Sequence, residues 1–110
     1  MLPIQFYQKL PEMECLAGDT LPEFLIRTSL DDVSGCTMQL IIEDQKTPGA
    51  VALSKNCSLS DEVFHVQLTS EDTAGLLGVY RLHLCMTDSG GLKYRKLAGT
   101  LIVRQTALGG

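Results

Sequence analysis

The residues of this chain suited to chemistry are two histidines, four cysteines and three acidic pairs. His65 and His83 each interrupt an alternating run, on the parity opposite its apolar residues. A metal held between them would need neighbouring strands and a third ligand such as Asp or Glu. Otherwise they are solvent-side histidines on a sheet, which is the expectation. Cys15, Cys36, Cys57 and Cys85 are nowhere closer than 21 residues, so C-x-x-C redox or zinc spacing does not occur. As disulfides they would permit three pairings, but nothing marks an oxidising compartment. Free cysteine behaves as a small buried hydrophobe, so reduced structural thiols are expected.

Glu12 with Glu14, Asp31 with Asp32, and Glu43 with Asp44 are paired carboxylates. Acid/base work needs two carboxyls facing across a cleft at a set separation. Neighbours on a strand or turn face opposite ways or into water, so solvation accounts for them. No G-x-S-x-G elbow, Walker A or G-x-G-x-x-G pattern occurs. Asn56-Cys57-Ser58 fits a glycosylation acceptor, but Met1-Leu2-Pro3 lacks the basic and apolar regions of a signal peptide, so a plain turn is expected. No catalytic, cofactor or metal set is expected and the chain is read as a non-enzyme. A small hydrolase would require His65 or His83 beside a carboxylate in a pocket.

One charge feature survives. Lys93, Arg95 and Lys96 cluster in a chain whose formal charge is -4. Arg81 and Arg104 would extend that patch if their strands pair with it. Segregated charge suits self-association against an acidic patch such as Glu12–Glu14 or Asp31–Asp32. The plainer reading is a charged edge that discourages stray strand pairing. The acidic balance argues against nucleic acid as a partner. Apolar runs such as Leu40-Ile41-Ile42 are too short to cross a membrane.

The elements that must position these residues are strands. Phe64, Val66 and Leu68 alternate with His65 and Gln67, and Tyr80, Leu82, Leu84 and Met86 alternate with Arg81, His83 and Cys85. Met38, Leu40 and Ile42 repeat the pattern, as do Leu97, Leu101 and Val103. A period of two gives each strand one core face and one wetter face, the mark of antiparallel sheets. Turn residues separate the runs at 17–19, 31–35, 47–49 and 88–91. Strands are predicted near 4–8, 12–17, 22–30, 36–44, 50–55, 62–68, 78–88 and 92–104, the last two as a hairpin. Ser70 to Leu76 reads as a single helical turn capped by Ser70 and stopped by Gly75 or Gly78.

At 110 residues, with 45% hydrophobic and 20% charged, the chain is one ordered domain, 1–110. The class is all-β, an antiparallel β-sandwich of about seven to eight strands, with a small closed barrel as the runner-up. Residues 1–11 read as an edge-covering or strand-exchange arm, and 105–110 as a flexible tail. The interface residues to watch are Ile4, Phe6, Tyr7, Lys93, Tyr94, Arg95 and Lys96.

The order of motifs adds a resemblance. Gly18-Asp19-Thr20 precedes Phe24-Leu25-Ile26-Arg27, and Val33-Ser34-Gly35-Cys36-Thr37-Met38 opens a strand. Gly78-Val79-Tyr80-Arg81-Leu82, Thr87-Asp88-Ser89-Gly90-Gly91 and Arg95 through Val103 close the series. Over residues 12 to 104 this resembles the immunoglobulin-like N-terminal domain of phage upper baseplate proteins and related small phage tail or virion proteins. The resemblance implies an immunoglobulin-like fold and a non-enzymatic tail or baseplate part, made in the host cytoplasm and carried in the virion. Its partners would be other phage structural proteins or further copies of itself. Leu68 through Ala74 also resembles the corner before strand F of antibody domains. Tyr80, however, lies eight residues past Asp72, Cys85 has the opposite parity, and there is no Trp, so shared architecture is all that is implied. The alternative is a bacterial surface or carbohydrate-binding module. It would need an exposed aromatic platform, for which Tyr7 and Tyr94 are the candidates.

Overall fold

A computed structural model describes residues 2–5, 12–28 and 33–105. Phe6, Tyr7, the Asp31–Asp32 pair and 106–110 lie outside the described residues. Strands dominate: β1 (Leu2–Gln5), β2 (Met13–Leu16), β3 (Phe24–Arg27), β4 (Thr37–Asp44), β5 (Val51–Asn56), β6 (Ser58–Ser60), β7 (Val63–Val66), β8 (Gly78–Thr87) and β9 (Lys93–Arg104). One helical turn, α1 (Ser70–Ala74), precedes β8. A four-stranded sheet has the order β1-β3-β7-β6, and a five-stranded sheet the order β2-β9-β8-β4-β5.

Neither sheet is purely antiparallel, which corrects the expectation. β1 runs parallel to β3, and β2 parallel to β9. Alternation fixes which face a side chain occupies, not the direction of the neighbouring strand. Both parallel pairs are made by edge strands from the first sixteen residues, and long connections separate them from their partners, as parallel pairing demands. Among the described residues the strand count is nine rather than about seven or eight, because β6 is a three-residue, exposed Ser-Leu-Ser segment with no apolar alternation. The hairpin of β8 and β9 forms as expected, from Thr87 opposite Lys93 to Gly78 opposite Val103, with a bulge at Leu82/His83.

The inward sets of both sheets meet in one core. Phe24, Ile26, Phe64 and Val66 come from the four-stranded sheet; Met38, Leu40, Ile42, Leu82, Leu84, Leu101 and Val103 come from the other. β8 alternates buried and half-buried positions along nearly its whole length. Each such aliphatic or aromatic side chain contributes about 1.5–3 kcal/mol relative to exposure.

The helical turn starts one residue earlier than expected. Thr69, not Ser70, is the N-cap, because Thr69 is the residue whose backbone is still extended. The Asp72 carboxylate accepts the Thr69 amide at 2.8 Å, and the Thr69 hydroxyl accepts the Asp72 amide at 3.4 Å, a reciprocal capping box. Gly75 ends the turn.

Candidate binding face

The hydrogen-bond register of the five-stranded sheet sets side chains in rows across its outer face. Asn56 lies opposite Gln39, Gln39 opposite Cys85, and Cys85 opposite Arg95. A second row runs Thr37, Thr87, Lys93. Cys85, Thr37 and Thr87 are short, whereas Lys93 and Arg95 on one flank and Gln39 and Ile41 on the other are long. The difference in reach leaves a groove of about 540 Å³ over these strands. Gln39 Nε2 donates to Asn56 Oδ1 at 2.9 Å, which fixes both amides at the β5 end.

The basic residues divide into neutralised and unpaired. Arg81 does lie on this face, but its guanidinium is 3.9 Å from Glu43, which also meets His83 Nε2 at 3.1 Å. Arg104 is turned to Glu14. Neither arginine therefore extends the patch, although both strands do pair with it. Lys93 and Arg95 are exposed and make no ion pair among the described residues. Lys96 is opposite Leu84 and leaves β9 on the other side, so it does not join them. The nearest carboxylate on the connecting turn, Asp88, accepts the Gly90 and Leu92 amides through Oδ1 and the Tyr94 hydroxyl through Oδ2.

Tyr94 is not an exposed platform. It is half-buried against the core, with its hydroxyl 3.2 Å from Asp88. Ile4 lies in β1, opposite Ile26. Of the acidic pairs, Glu43–Asp44 proves to fasten a turn, Glu12 is exposed, and Glu14 meets Arg104. Glu43 Oε2 accepts the Gly49 amide at 2.8 Å, and Asp44 Oδ1 accepts the Lys46 amide at 2.9 Å, closing the turn between β4 and β5. The Gly49 amide, then the His83 hydrogen bond and the His83 and Arg81 charges, outweigh burial and hold the Glu43 carboxyl below its usual range.

The histidines do not meet. His65 belongs to β7 in the four-stranded sheet and His83 to β8 in the five-stranded one. Each has its own carboxylate: Glu23 lies 3.3 Å from His65 Nδ1, as Glu43 does at 3.1 Å from His83. His65 also lines a recess of about 230 Å³ with Arg27, Ser60 and Asp61. The hydroxyl of Ser58 donates to the His65 carbonyl at 3.5 Å and so is not aimed at the imidazole. Among the described residues, no three His, Cys, Asp or Glu side chains gather to hold a metal.

All four thiols are free. Cys15 and Cys36 are buried, and burial, then the Asp19 charge, pushes the Cys15 thiol up. Burial pushes Cys57 up to about 12, against a hydrogen bond from the Leu40 backbone. Cys57 and Cys85 are both half-buried and both line the groove.

No family model matches the chain, and no curated protein matches it either.

Proposed function

We propose that this is a non-enzymatic structural domain that works by docking to other proteins through the outer face of its five-stranded sheet. The observation that carries the reading is the pair Lys93 and Arg95, without carboxylate partners among the described residues, beside a groove in a chain of net charge -4. Unpaired cations over a shaped polar surface favour electrostatic steering of an acidic partner.

We read the architecture as an immunoglobulin-like sandwich of variable type. The order β1-β3-β7-β6 follows that of strands A, B, E and D, with β1 parallel to β3 as a departure from the antiparallel pattern, and β9-β8-β4-β5 follows that of G, F, C and C′. Tyr80 supports this reading, because it stands at the start of the F-like strand with its hydroxyl bonded a few residues upstream. Leu82 occupies the position two residues on, where antibody domains carry a disulfide cysteine, and it is fully buried. Apolar packing then replaces the covalent link.

The biological setting we propose is a phage tail or baseplate, carried by the motif resemblance over residues 12 to 104. Purified, salt-washed particles produced by bacteria that carry the gene test it by peptide mass spectrometry. The expected outcome is peptides of this chain at a fixed ratio to known tail components. Their restriction to the soluble lysate sinks the virion reading.

A further inference from the structure

From the row Asn56–Gln39–Cys85–Arg95, we infer that the groove takes a short, extended, carboxylate-bearing segment of a partner protein, laid across the strands. The inference rests on the docking reading and names the chemistry of its partner. Three strand spacings separate the ends of the row, roughly 14 Å at 4.8 Å each, which an extended chain covers in about four residues at 3.3 Å per residue.

The donors are distributed to suit such a segment. Lys93 and Arg95 stand at one end for carboxylates, and Arg95 can hold one through two parallel N–H bonds. At the other end the Gln39–Asn56 bond uses one amide hydrogen of Gln39 and the Asn56 oxygen, which leaves the Asn56 NH2 as a donor for a peptide carbonyl. Thr37 and Thr87 supply hydroxyls midway, Cys85 gives a small apolar floor, and Ile41 an apolar wall. The partner's charge is limited by the rest of the molecule. At net -4, the chain as a whole repels a dense polyanion such as nucleic acid, while one or two carboxylates match Lys93 and Arg95.

The test uses the whole chain and a short fluorescein-labelled peptide alternating glutamate and alanine, with a glutamine-for-glutamate peptide as its neutral counterpart, read by anisotropy. The acidic peptide should bind, the neutral one should bind about tenfold more weakly, and added salt should erase the difference. K93Q with R95Q should weaken the acidic peptide by about tenfold, the product of two exposed charge pairs worth a few-fold each. K46Q, which removes a cation from the distant turn, should leave binding unchanged, and circular dichroism establishes that each variant is folded. Equal binding of both peptides, or no loss in the double variant, overturns the proposal. So does a doubled native mass without peptide that R95Q abolishes, because a second copy would then fill the groove. Particle incorporation is read separately, so the groove can fail while the virion reading stands.

Discussion

The phenol of Tyr80 grips Leu77 twice, accepting its amide and donating to its carbonyl, each at 2.8 Å. The contact ties the segment after α1 to the start of β8, while the Tyr80 ring is buried in the core.

Tyr80→Phe keeps the ring and loses both bonds. Because Leu77 is 59% exposed, water can reach the released backbone groups. The cost is therefore at the modest end, about 1 kcal/mol. It should appear as a lower urea midpoint with an unchanged m-value. By contrast Leu82→Ala, at a site with no exposure, should cost about 2–5 kcal/mol through the cavity it leaves.

Acid should loosen the junction between β5 and α1. Lys55 Nζ donates to the Gln67 carbonyl at 2.6 Å and to Asp72 Oδ2 at 2.5 Å. Burial alone would raise the Asp72 carboxyl, but hydrogen bonds from Lys55 and Thr69 and the Lys55 charge hold it below its ordinary 3.8. A depressed folded pKa contributes stability that is complete above the unfolded value. That stability is lost as pH falls through the folded one. Urea midpoints measured from pH about 6 downward should therefore drop below about pH 4, and Asp72→Asn should flatten that limb. An identical acid slope in the variant would refute the assignment.

The two half-buried thiols of the groove should react in a fixed order. With an aromatic disulfide reagent at about pH 8, Cys85 should label first in the folded protein. Cys57, pushed up to about 12, presents roughly one thiolate in ten thousand at that pH. All four cysteines should label after unfolding without reductant. Fewer than four at that point would reveal a disulfide.

Gly35 and Ser89 touch across two turns. Gly35 has φ +79, and a Cβ built there would lie 3.1 Å from the Ser89 Cβ. Gly49 has a similar φ of +86 but open space around it. Gly49→Ala should thus cost only the left-handed backbone, about 1 kcal/mol, and Gly35→Ala more. Ser89→Gly in the Gly35→Ala background should recover the difference, measured as a double-mutant cycle by thermal unfolding.

The β8–β9 hairpin was readable in the sequence because alternation, parity and the Asp88–Gly91 turn all agree there. The parallel placement of β1 and β2 was not, since period two carries no direction. Lys93 and Arg95 could be picked out by charge alone. Gln39, Asn56 and Cys85 could not, because they join the groove only through the pairing of β5, β4, β8 and β9, and register between distant strands leaves no local mark. The same gap explains Arg81 and Arg104, whose strands pair in the hairpin but whose charges are taken by Glu43 and Glu14. Thr69 and Ser70 are equally good cap residue types, and only the backbone angle separates them.

The parallel seam between β2 and β9 has a mechanical meaning. Met13 faces Leu101 and Leu16 faces Arg104, so tension entering before β2 and leaving after β9 drags the two strands past each other lengthwise. Every hydrogen bond of the seam then carries load at once, whereas a hairpin pulled from its open end peels one rung at a time. In single-molecule pulling, the chain should yield in one high-force rupture, and a proline placed at a paired amide of β2 should lower that force sharply.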